Sequence, residues 1–207
     1  MTPRLITAIT RIEEKQMKPG FVRIIAGKWR GRRLKVPDIK DLRPTPDRIR
    51  ETLFNWLAPH IVAARCLDLF AGSGVLGFEA LSREASYVEM VDQSSAVISL
   101  LKEELMTFGA ENVRIYRATV PNQLQKPDRP FDIVFLDPPY QSNLLISCCQ
   151  FLEANGFLAK TAYIYLEAQE PIEDNDLPSN WQLLKKEKAG QVAYHLAKRV
   201  TTNDEST

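Results

Sequence analysis

The stretch Asp137-Pro138-Pro139-Tyr140 carries residue types that could bind and orient a flat, amine-bearing ring. It follows the apolar residues 131–136, which predict a fully buried strand that must end at the two prolines. Asp137 and the Pro138 carbonyl could accept hydrogen bonds from an exocyclic NH2 group, while Tyr140 stacks on the ring face. Asp137, Pro138 and Tyr140 are therefore candidate catalytic residues. The alternative is a plain turn at a strand end, with one acid and no ligand.

A glycine-rich turn is the second candidate site. Apolar residues 65–70 lead into Ala71-Gly72-Ser73-Gly74-Val75-Leu76-Gly77, and a helical pattern follows. Glycines at such a turn let the backbone approach a ligand, and the helix N-terminus offers free N–H groups. Asp92 ends the next apolar run, where a carboxylate can accept hydrogen bonds from both hydroxyls of a ribose. This pattern predicts a site for a nucleoside-containing cofactor.

Gly72, Gly74 and Gly77 also satisfy the pattern G-x-G-x-x-G, so a nicotinamide enzyme is an alternative. Asp68 favours S-adenosylmethionine instead, because it would repel a pyrophosphate but attract the ammonium group of a methionine moiety. The turn at residues 137–140 also has no evident role in hydride transfer. The predicted cofactor-binding residues of these two strands are Asp68, Phe70, Ala71, Gly72, Gly74 and Asp92.

The Leu67–Gly77 turn, Asp92 and Asp137–Tyr140 together resemble class I methyltransferases that act on exocyclic amino groups of nucleic-acid bases. Such chemistry is a direct transfer of the methyl group from S-adenosylmethionine to the amine, without a covalent enzyme intermediate. The target base must be accessible, which requires an unpaired or flipped nucleotide.

Three flanking segments narrow the resemblance. Residues 23–32, 43–56 and 190–194 are similar to bacterial 16S ribosomal RNA guanine-N2-methyltransferases of the RsmD family, and the similarity runs from about Phe21 to Arg199. It implies methylation of a guanine in the 16S RNA of the small ribosomal subunit or its assembly intermediate. By the same resemblance, Thr45 and Arg48 approach the methionine carboxylate of the cofactor. A helix-capping role is the alternative for this stretch.

Arg117 departs from the family pattern. Related enzymes often have Asp or Asn before Ala at this point, after the predicted strand at residues 113–116. Such a side chain can meet the adenine amino group, whereas an arginine cannot accept a hydrogen bond from it. We therefore expect adenine recognition to rely on the backbone or on another residue.

The charge is unevenly distributed along the chain. Residues 1–50 contain 14 basic and 5 acidic side chains, a net charge of +9, whereas the remainder has 13 basic and 21 acidic side chains, a net charge of −8. This asymmetry predicts a phosphate-binding surface near the N-terminus, although a solvated basic face without a partner is the alternative. The predicted RNA-binding residues, which surround Trp29, are Lys28, Arg30, Arg32 and Arg33.

The composition predicts a cytoplasmic protein with one sizeable core, and we expect a monomer. The chain has 207 residues, of which 44% are hydrophobic. It has no apolar run of membrane-spanning length, and residues 1–20 lack the apolar core of a secretion signal. The cysteines and histidines show no metal-ligand spacing, so we expect no metal ion. We expect Cys66, Cys148 and Cys149 to be small core residues, and His60 and His195 to have surface or packing roles.

Alternating strand and helix patterns predict an α/β fold, and the resemblance implies the Rossmann-like fold of class I methyltransferases. We expect a mostly parallel sheet with helices on both faces, a closing antiparallel hairpin and a small N-terminal β-hairpin extension. Predicted strands lie near residues 66–70, 87–91, 113–116, 131–136 and 163–167, and predicted helices near 75–82, 96–108 and 144–153. Asp68, Asp92 and Asp137 would then meet at the carboxyl edge of the sheet, where such folds bind ligands.

The chain divides into four predicted regions. Residues 1–20 and 201–207 are expected to be flexible tails, and residues 59–200 the methyltransferase domain. Residues 21–58 are expected to form the RNA-binding extension, with a hairpin of residues 22–26 and 32–36 and a helix that Asp47 caps.

Two other functions stay open. The turn at residues 137–140 alone does not distinguish guanine from adenine or cytosine, so a methyltransferase acting on adenine N6 or cytosine N4 of DNA or RNA is one alternative. The more distant alternative is a non-catalytic RNA-binding assembly factor. The intact glycine turn and the complete Asp137–Tyr140 turn argue against lost catalysis.

Overall fold

A mostly parallel β-sheet flanked by helices forms the centre of the protein in the computed structural model, which describes residues 20–37, 39, 44–139 and 144–200. The elements of these residues are, in chain order, β1 (Phe21–Arg23), β2 (Arg33–Lys35), α1 (Asp47–Leu57), β3 (Arg65–Asp68), α2 (Val75–Ser82), β4 (Tyr87–Asp92), α3 (Ser95–Phe108), β5 (Val113–Arg117), β6 (Phe131–Leu136), α4 (Leu144–Ala154), β7 (Leu158–Ala168), β8 (Trp181–Ala189) and β9 (Val192–Arg199). The predicted tails lie outside the described residues, apart from Gly20.

The order of strands in the main sheet is β5-β4-β3-β6-β7-β9-β8. The five strands from β5 to β7 run parallel, and β9 is antiparallel to both of its neighbours. The chain therefore moves outward from β3 to β5 and returns to the other side of β3 to form β6. This reversal creates a crevice at the carboxyl ends of β3 and β6, the usual ligand site of such sheets. The predicted fold is confirmed.

The central strands are apolar because helices cover both of their faces. Ile133, Phe135 and Tyr165 belong to a core shared with α1, α2 and α3. Val134 and Leu136 belong to a second core, which contains α4 on the opposite face. Alternate residues of β6 thus point into different cores, as the geometry of a strand requires.

The cysteines and histidines of the described residues pack against other protein groups. Cys66, Cys148 and Cys149 are buried free thiols, as expected. His195 is also buried, and its Nε2 accepts a hydrogen bond from the Ile172 amide at 3.1 Å. The His60 ring stacks on Tyr163, with 3.9 Å between the ring centroids. The histidines therefore have the packing or surface roles that the sequence indicated, His195 in the core and His60 at an exposed position.

The N-terminal hairpin is docked against the main domain. Trp29 is buried, and its ring centroid lies 6.3 Å from Phe78 and 5.0 Å from Phe108. Glu79 of α2 accepts hydrogen bonds from the amides of Ile25 and Ala26, at 2.8 and 3.0 Å. Trp29 is thus a core residue, and helix α2 fixes the position of the hairpin.

Several element boundaries differ from the prediction, including those of the two hairpin strands and of β3. The differences at α1 and β7 have clear physical reasons. Asp47 does not cap α1, because Pro46 occupies that position and Asp47 is the first helical residue. Its carboxylate pairs instead with Arg50 at 2.6 Å and with Arg23 at 2.9 Å. Strand β7 begins at Leu158 rather than near Tyr163, because an irregularity in its pairing with β6 lets the strand extend past residues that break the apolar pattern.

Helix length and hydropathy bear on membrane insertion. None of the helices in the described part of the chain is both long enough and apolar enough to span a bilayer.

The close approach of the hairpin to α2 predicts different costs for two glycine substitutions. Gly27 and Gly31 both have left-handed backbones, with φ of +79° and +81°. A Cβ on Gly27 would lie 1.8 Å from the Ser82 carbonyl oxygen, whereas a Cβ on Gly31 would have no heavy atom within 4 Å. Gly31→Ala should cost about 1–2 kcal/mol through backbone strain alone. Gly27→Ala should cost a further ~1–3 kcal/mol or more through overpacking.

Urea unfolding of the two variants beside the wild-type protein measures this difference. Equal losses of unfolding free energy would show that the hairpin is not held against Ser82.

Candidate active site

Three aspartates meet at the carboxyl edge of the sheet. Asp68 ends β3, Asp92 ends β4, and Asp137 follows β6 directly. Strand β3 pairs with both β4 and β6, and in that register Asp68 lies opposite Met90 and Phe135. The structure therefore brings together three acids that are far apart in sequence.

Asp68 is the most buried of the three aspartates, with 3% of its surface exposed. Its Oδ2 accepts a hydrogen bond from the Gly77 amide at 3.2 Å. Burial is the main cause that raises the pKa of Asp68 to about 7. The nearby charge of Asp92 contributes to this rise, whereas the hydrogen bond from the Gly77 amide opposes it. A cationic group bound at this carboxyl would offset its desolvation and favour its ionised form.

The glycine turn is held by Asp92. The amides of Gly72 and Ser94 donate hydrogen bonds to the two oxygens of this carboxylate, at 3.0 and 2.8 Å. The Ala71 amide donates to the Val91 carbonyl at 3.0 Å and so ties the turn to β4. Each carboxylate oxygen keeps a further lone pair for hydroxyl donors. Asp92 can thus position the turn and accept a diol together.

At Gly74 and Gly77 a side chain is excluded for two different steric reasons. Gly74 caps α2 with φ of +75°, and a Cβ there would lie 2.4 Å from Leu101 Cδ2. Gly77 lies within α2, and a Cβ there would lie 2.9 Å from Met90 Sδ. Gly74 therefore allows the turn, whereas Gly77 allows the helix to pack closely on β4.

Asp137 lies beside Thr45, the residue two positions before α1. The Thr45 hydroxyl donates to Asp137 Oδ2 over a long contact of 3.5 Å. Burial raises the pKa of Asp137 well above its ordinary value, and the charges of Glu167 and Asp68 raise it further. Pro138 is buried and Pro139 is exposed. Tyr140 lies outside the described residues.

The predicted cofactor residues Thr45 and Arg48 have different surroundings. Thr45 is buried, and its carbonyl accepts a hydrogen bond from Arg50 Nε at 3.1 Å. Arg48 is exposed, and its carbonyl accepts from the Thr52 hydroxyl at 3.0 Å. Thr45 is therefore brought to the Asp137 turn by a residue that sequence reasoning had not singled out, the fully buried Arg50.

Glu167 is a site residue that the sequence interpretation missed. It lies near the end of β7 with 4% of its surface exposed, and its charge acts on Asp137. Its Oε2 accepts a hydrogen bond from the Tyr165 hydroxyl at 2.8 Å. A signal was present, because Glu167 ends an apolar run just as Asp68 and Asp92 do.

Arg117 turns back onto the protein backbone. Its Nε donates to the Gln93 carbonyl at 2.9 Å, and the Ala118 amide donates to the Asp92 carbonyl at 3.1 Å. This segment therefore follows the end of β4 closely, and its backbone lies beside the predicted ribose site.

The four predicted RNA-binding residues are not equivalent. Arg32 Nη2 donates to the Thr107 carbonyl at 2.8 Å, and its guanidinium lies 3.9 Å from the Phe108 ring centroid. The Lys28 ammonium lies 4.3 Å from the Trp29 ring centroid. Arg30 and Arg33 are exposed. Arg32 thus helps to dock the hairpin, while the other two arginines face solvent.

A pocket lies elsewhere in the described part of the chain, which holds no metal-binding cluster. A shallow pocket lined by His60, Asp132 and Tyr163 lies near the opposite edge of the sheet, where β6 begins. Across the described residues, no group of three or more His, Cys, Asp or Glu side chains could hold a metal ion.

The strand order, the glycine turn at the start of α2 and the acids at the carboxyl edge define a class I methyltransferase. The chain matches the family model described as "Conserved hypothetical protein 95" over residues 22–198. Ribosomal RNA small subunit methyltransferase D of Escherichia coli strain K12 is 49% identical over 180 residues, which cover 87% of this chain and 91% of that protein. This chain therefore belongs to the RsmD family of methyltransferases.

Two further relatives agree with this assignment. The Haemophilus influenzae protein named ribosomal RNA small subunit methyltransferase D is 45% identical over 183 residues, covering 86% of this chain and 93% of that protein. A solved structure described as putative methyltransferase yhhF from Escherichia coli has a TM-score of 0.79 and 49% identity. It covers 88% of this chain and 99% of the solved chain.

The raised pKa of Asp68 predicts a pH-dependent stability without cofactor. An aspartate in an unfolded chain has a pKa of about 3.9. Between that value and the folded value of about 7, the native state binds more protons than the unfolded state. The contribution of Asp68 to the free energy of unfolding should therefore fall as the pH rises from about 4 to about 7, by up to about 1.4 kcal/mol per pH unit.

Asp68→Asn should remove this contribution, so the stability of the wild-type protein relative to the variant should be lower at pH 8 than at pH 5. Urea unfolding at both pH values measures the difference, with the exposed Glu111→Gln as a control. Parallel pH dependences of wild-type and Asp68→Asn proteins would contradict it.

Proposed function

We propose that this protein transfers a methyl group from S-adenosylmethionine to the exocyclic N2 amine of a guanine in 16S ribosomal RNA. The substrate would be the small ribosomal subunit or its assembly intermediate. The observation that carries the proposal is the Asp137-Pro138 turn at the carboxyl edge of β6, beside the glycine turn and Asp92. The relatives named ribosomal RNA small subunit methyltransferase D support the RNA substrate.

The cofactor would lie across the ends of β3 and β4. Asp92 would accept hydrogen bonds from the ribose hydroxyls, and Asp68 would attract the methionine ammonium group. The backbone of the glycine turn, from Phe70 through Gly74, would line the nucleoside. When bound, S-adenosylmethionine supplies a methyl group on a sulfonium that is already a good leaving group.

The protein's task is to orient a poor nucleophile. The lone pair of the guanine amino group is delocalised into the ring, which weakens its attack. Hydrogen bonds from this NH2 group to the Asp137 carboxylate and the Pro138 carbonyl would localise the lone pair and aim it. Tyr140 would stack on the flipped base. Alignment of two bound reactants contributes up to about 7–11 kcal/mol to catalysis.

The docked hairpin would bind the RNA backbone. Exposed Arg30 lies in the hairpin turn and exposed Arg33 begins β2, in the segment that carries the net charge of +9. Phosphate contacts from these side chains would position the RNA without reading its sequence.

Complementation of a strain that lacks this protein tests the reaction. Small-subunit RNA from that strain should lack one N2-methylguanosine, which the wild-type protein restores and Asp137→Ala does not. Cofactor affinity of the purified Asp137→Ala variant, measured by calorimetry, should stay close to the wild-type value because Asp137 lies at the base side of the site. Loss of a methylated adenine or cytosine would instead favour the alternative substrates.

Full restoration by Asp137→Ala would contradict the catalytic role of the turn. In that case a non-catalytic role in assembly, with another protein supplying the methyl group, would explain the data better.

The exposed arginines predict a salt-dependent RNA affinity. The double variant Arg30→Gln/Arg33→Gln should bind small-subunit RNA more weakly, because fewer counterions are released on binding. The slope of log affinity against log salt should decrease by about 0.7–0.9 for each phosphate that the variant no longer neutralises. Filter binding across a salt series measures both quantities.

A matched control is Lys185→Gln/Lys188→Gln, which removes the same charge from exposed positions of β8 at the other end of the sheet. Equal effects of the two double variants would mean that net charge, rather than the hairpin, determines RNA affinity.

A further inference from the structure

Glu167 lies directly beside the proposed catalytic residue Asp137. In the parallel pairing of β6 with β7, Leu136 lies opposite Leu166. The next residues along the two strands are Asp137 and Glu167, and neighbouring strands are about 4.8 Å apart. The two carboxyl groups are therefore neighbours at the same edge of the sheet.

The side chains of Asp137 and Glu167 also share one face of the sheet. Phe135 and Tyr165 pair in register and belong to the core on the side of α1. Side chains alternate along a strand, so Asp137 and Glu167, each two residues further, return to that face. The contact of Asp137 with Thr45, just before α1, agrees with this placement.

Glu167 is held in place by groups on its own and neighbouring strands. The Tyr165 hydroxyl donates a hydrogen bond to Glu167 Oε2 at 2.8 Å. In the antiparallel pairing of β7 with β9, Tyr194 lies opposite Glu167. Water solvates a residue this deeply buried only weakly, so the neighbouring protein groups determine whether Glu167 is charged.

We propose that Asp137 and Glu167 form a carboxyl pair that shares one proton and carries a single negative charge during methyl transfer. This inference rests on the proposed function and adds a second acid to it. Two carboxyl groups this close, in a partly desolvated site, do not both ionise readily. An amine that donates a hydrogen bond to Asp137 draws the negative charge onto that residue and leaves the proton on Glu167.

The pair also accounts for the proton that the reaction releases. The amine nitrogen forms a bond to the methyl carbon while the carbon–sulfur bond breaks, and that electron pair stays on sulfur. The methylated nitrogen then carries one proton too many. This proton passes to the Asp137 carboxylate, and solvent takes it from there because Asp137 is only partly buried.

The surrounding groups determine the pH dependence. Burial is the main cause that raises the pKa of Asp137, followed by the charges of Glu167 on β7 and Asp68 on β3. The hydrogen bond from the Thr45 hydroxyl lowers this pKa. Tyr165 and Tyr194 face the pair from β7 and β9, and Arg50 of α1 reaches the same region through the Thr45 carbonyl. Methyl transfer should fail at low pH, where the pair holds two protons and Asp137 cannot accept the amine hydrogen bond.

Single-turnover methyl transfer as a function of pH tests the pair, with small-subunit particles from the strain lacking the protein as substrate. A protonated Glu167 that shares its proton with Asp137 stabilises the ionised form of Asp137, whereas an amide donates a weaker hydrogen bond. Glu167→Gln should therefore move the acid limb of the rate profile to higher pH. A shift to lower pH would mean that Glu167 is ionised beside Asp137 and would overturn the pair. Glu167→Asp keeps a carboxyl group and should leave the limb nearer its wild-type position. Cofactor affinity should be unchanged in both variants, and the exposed Glu170→Gln should behave as wild type.

Tyr165→Phe is a second variant that tests the position of the acid limb. Loss of the hydroxyl that donates to Glu167 makes the pair hold its protons more tightly, so the acid limb should also move to higher pH. An unmoved limb in the folded Glu167→Gln and Tyr165→Phe variants would overturn the pair while methyl transfer by the wild-type protein upholds the proposed function. Absence of transfer by the wild-type protein would overturn both.

Discussion

The concentration of acidic side chains at one edge of a parallel sheet is the constraint around which this structure is arranged. Asp68 and Glu167 are buried, and Asp137 is only partly exposed. Like charges in a desolvated region oppose one another, so each carboxyl needs a hydrogen-bond donor, a proton or a bound cation. The local donors meet part of this need, namely the Gly77 amide for Asp68, the Thr45 hydroxyl for Asp137 and the Tyr165 hydroxyl for Glu167. A cationic cofactor and an amine-bearing base would supply further positive charge and hydrogen-bond donors to these carboxyl groups.

The N-terminal segment is connected to that edge through buried charge. The Glu79 carboxylate accepts from the hairpin amides, and it lies 3.6 Å from the Arg50 guanidinium. Arg50 in turn binds the Thr45 carbonyl, and the Thr45 hydroxyl reaches Asp137. Breaking a buried charge pair costs far more than removing an exposed one. The hairpin that is proposed to bind RNA and the turn that is proposed to bind the base are thus connected by one series of contacts.

Two flanking segments that are distant in sequence, in α1 and β9, pack together beside the site. Trp56 of α1 stacks on Tyr194 of β9, with 5.5 Å between centroids and 25° between the planes. Phe54 of the same helix packs on Phe135 of β6, with 5.9 Å between centroids. Residues near positions 54 and 194 therefore meet on the face of the sheet that also holds Asp137 and Glu167. These aromatic residues thus pack around the site.

Much of the fold followed from local sequence patterns. The predicted helix at residues 75–82 and the predicted strand at 131–136 agree with the structure residue for residue. Buried parallel strands are nearly all apolar, and a strand that ends at an acid and two prolines leaves little choice of boundary. The three aspartates could be placed at one edge for the same reason, because parallel strands carry their carboxyl ends in the same direction.

Other features depended on contacts between distant residues. Trp29 reads as part of a basic turn, but it is buried because Phe78 and Phe108 lie next to it in space. Arg32 counts as one more positive charge in the sequence, yet its guanidinium is bound to the Thr107 carbonyl.

The sequence by itself determined the elements and the edge at which the site lies, because hydrophobic periodicity and turn chemistry act over a few residues. The tertiary structure alone decided which acids are neighbours and which charges are free. Glu167 acts on Asp137 only because β7 pairs with β6, a relation between residues 30 positions apart that no local pattern encodes.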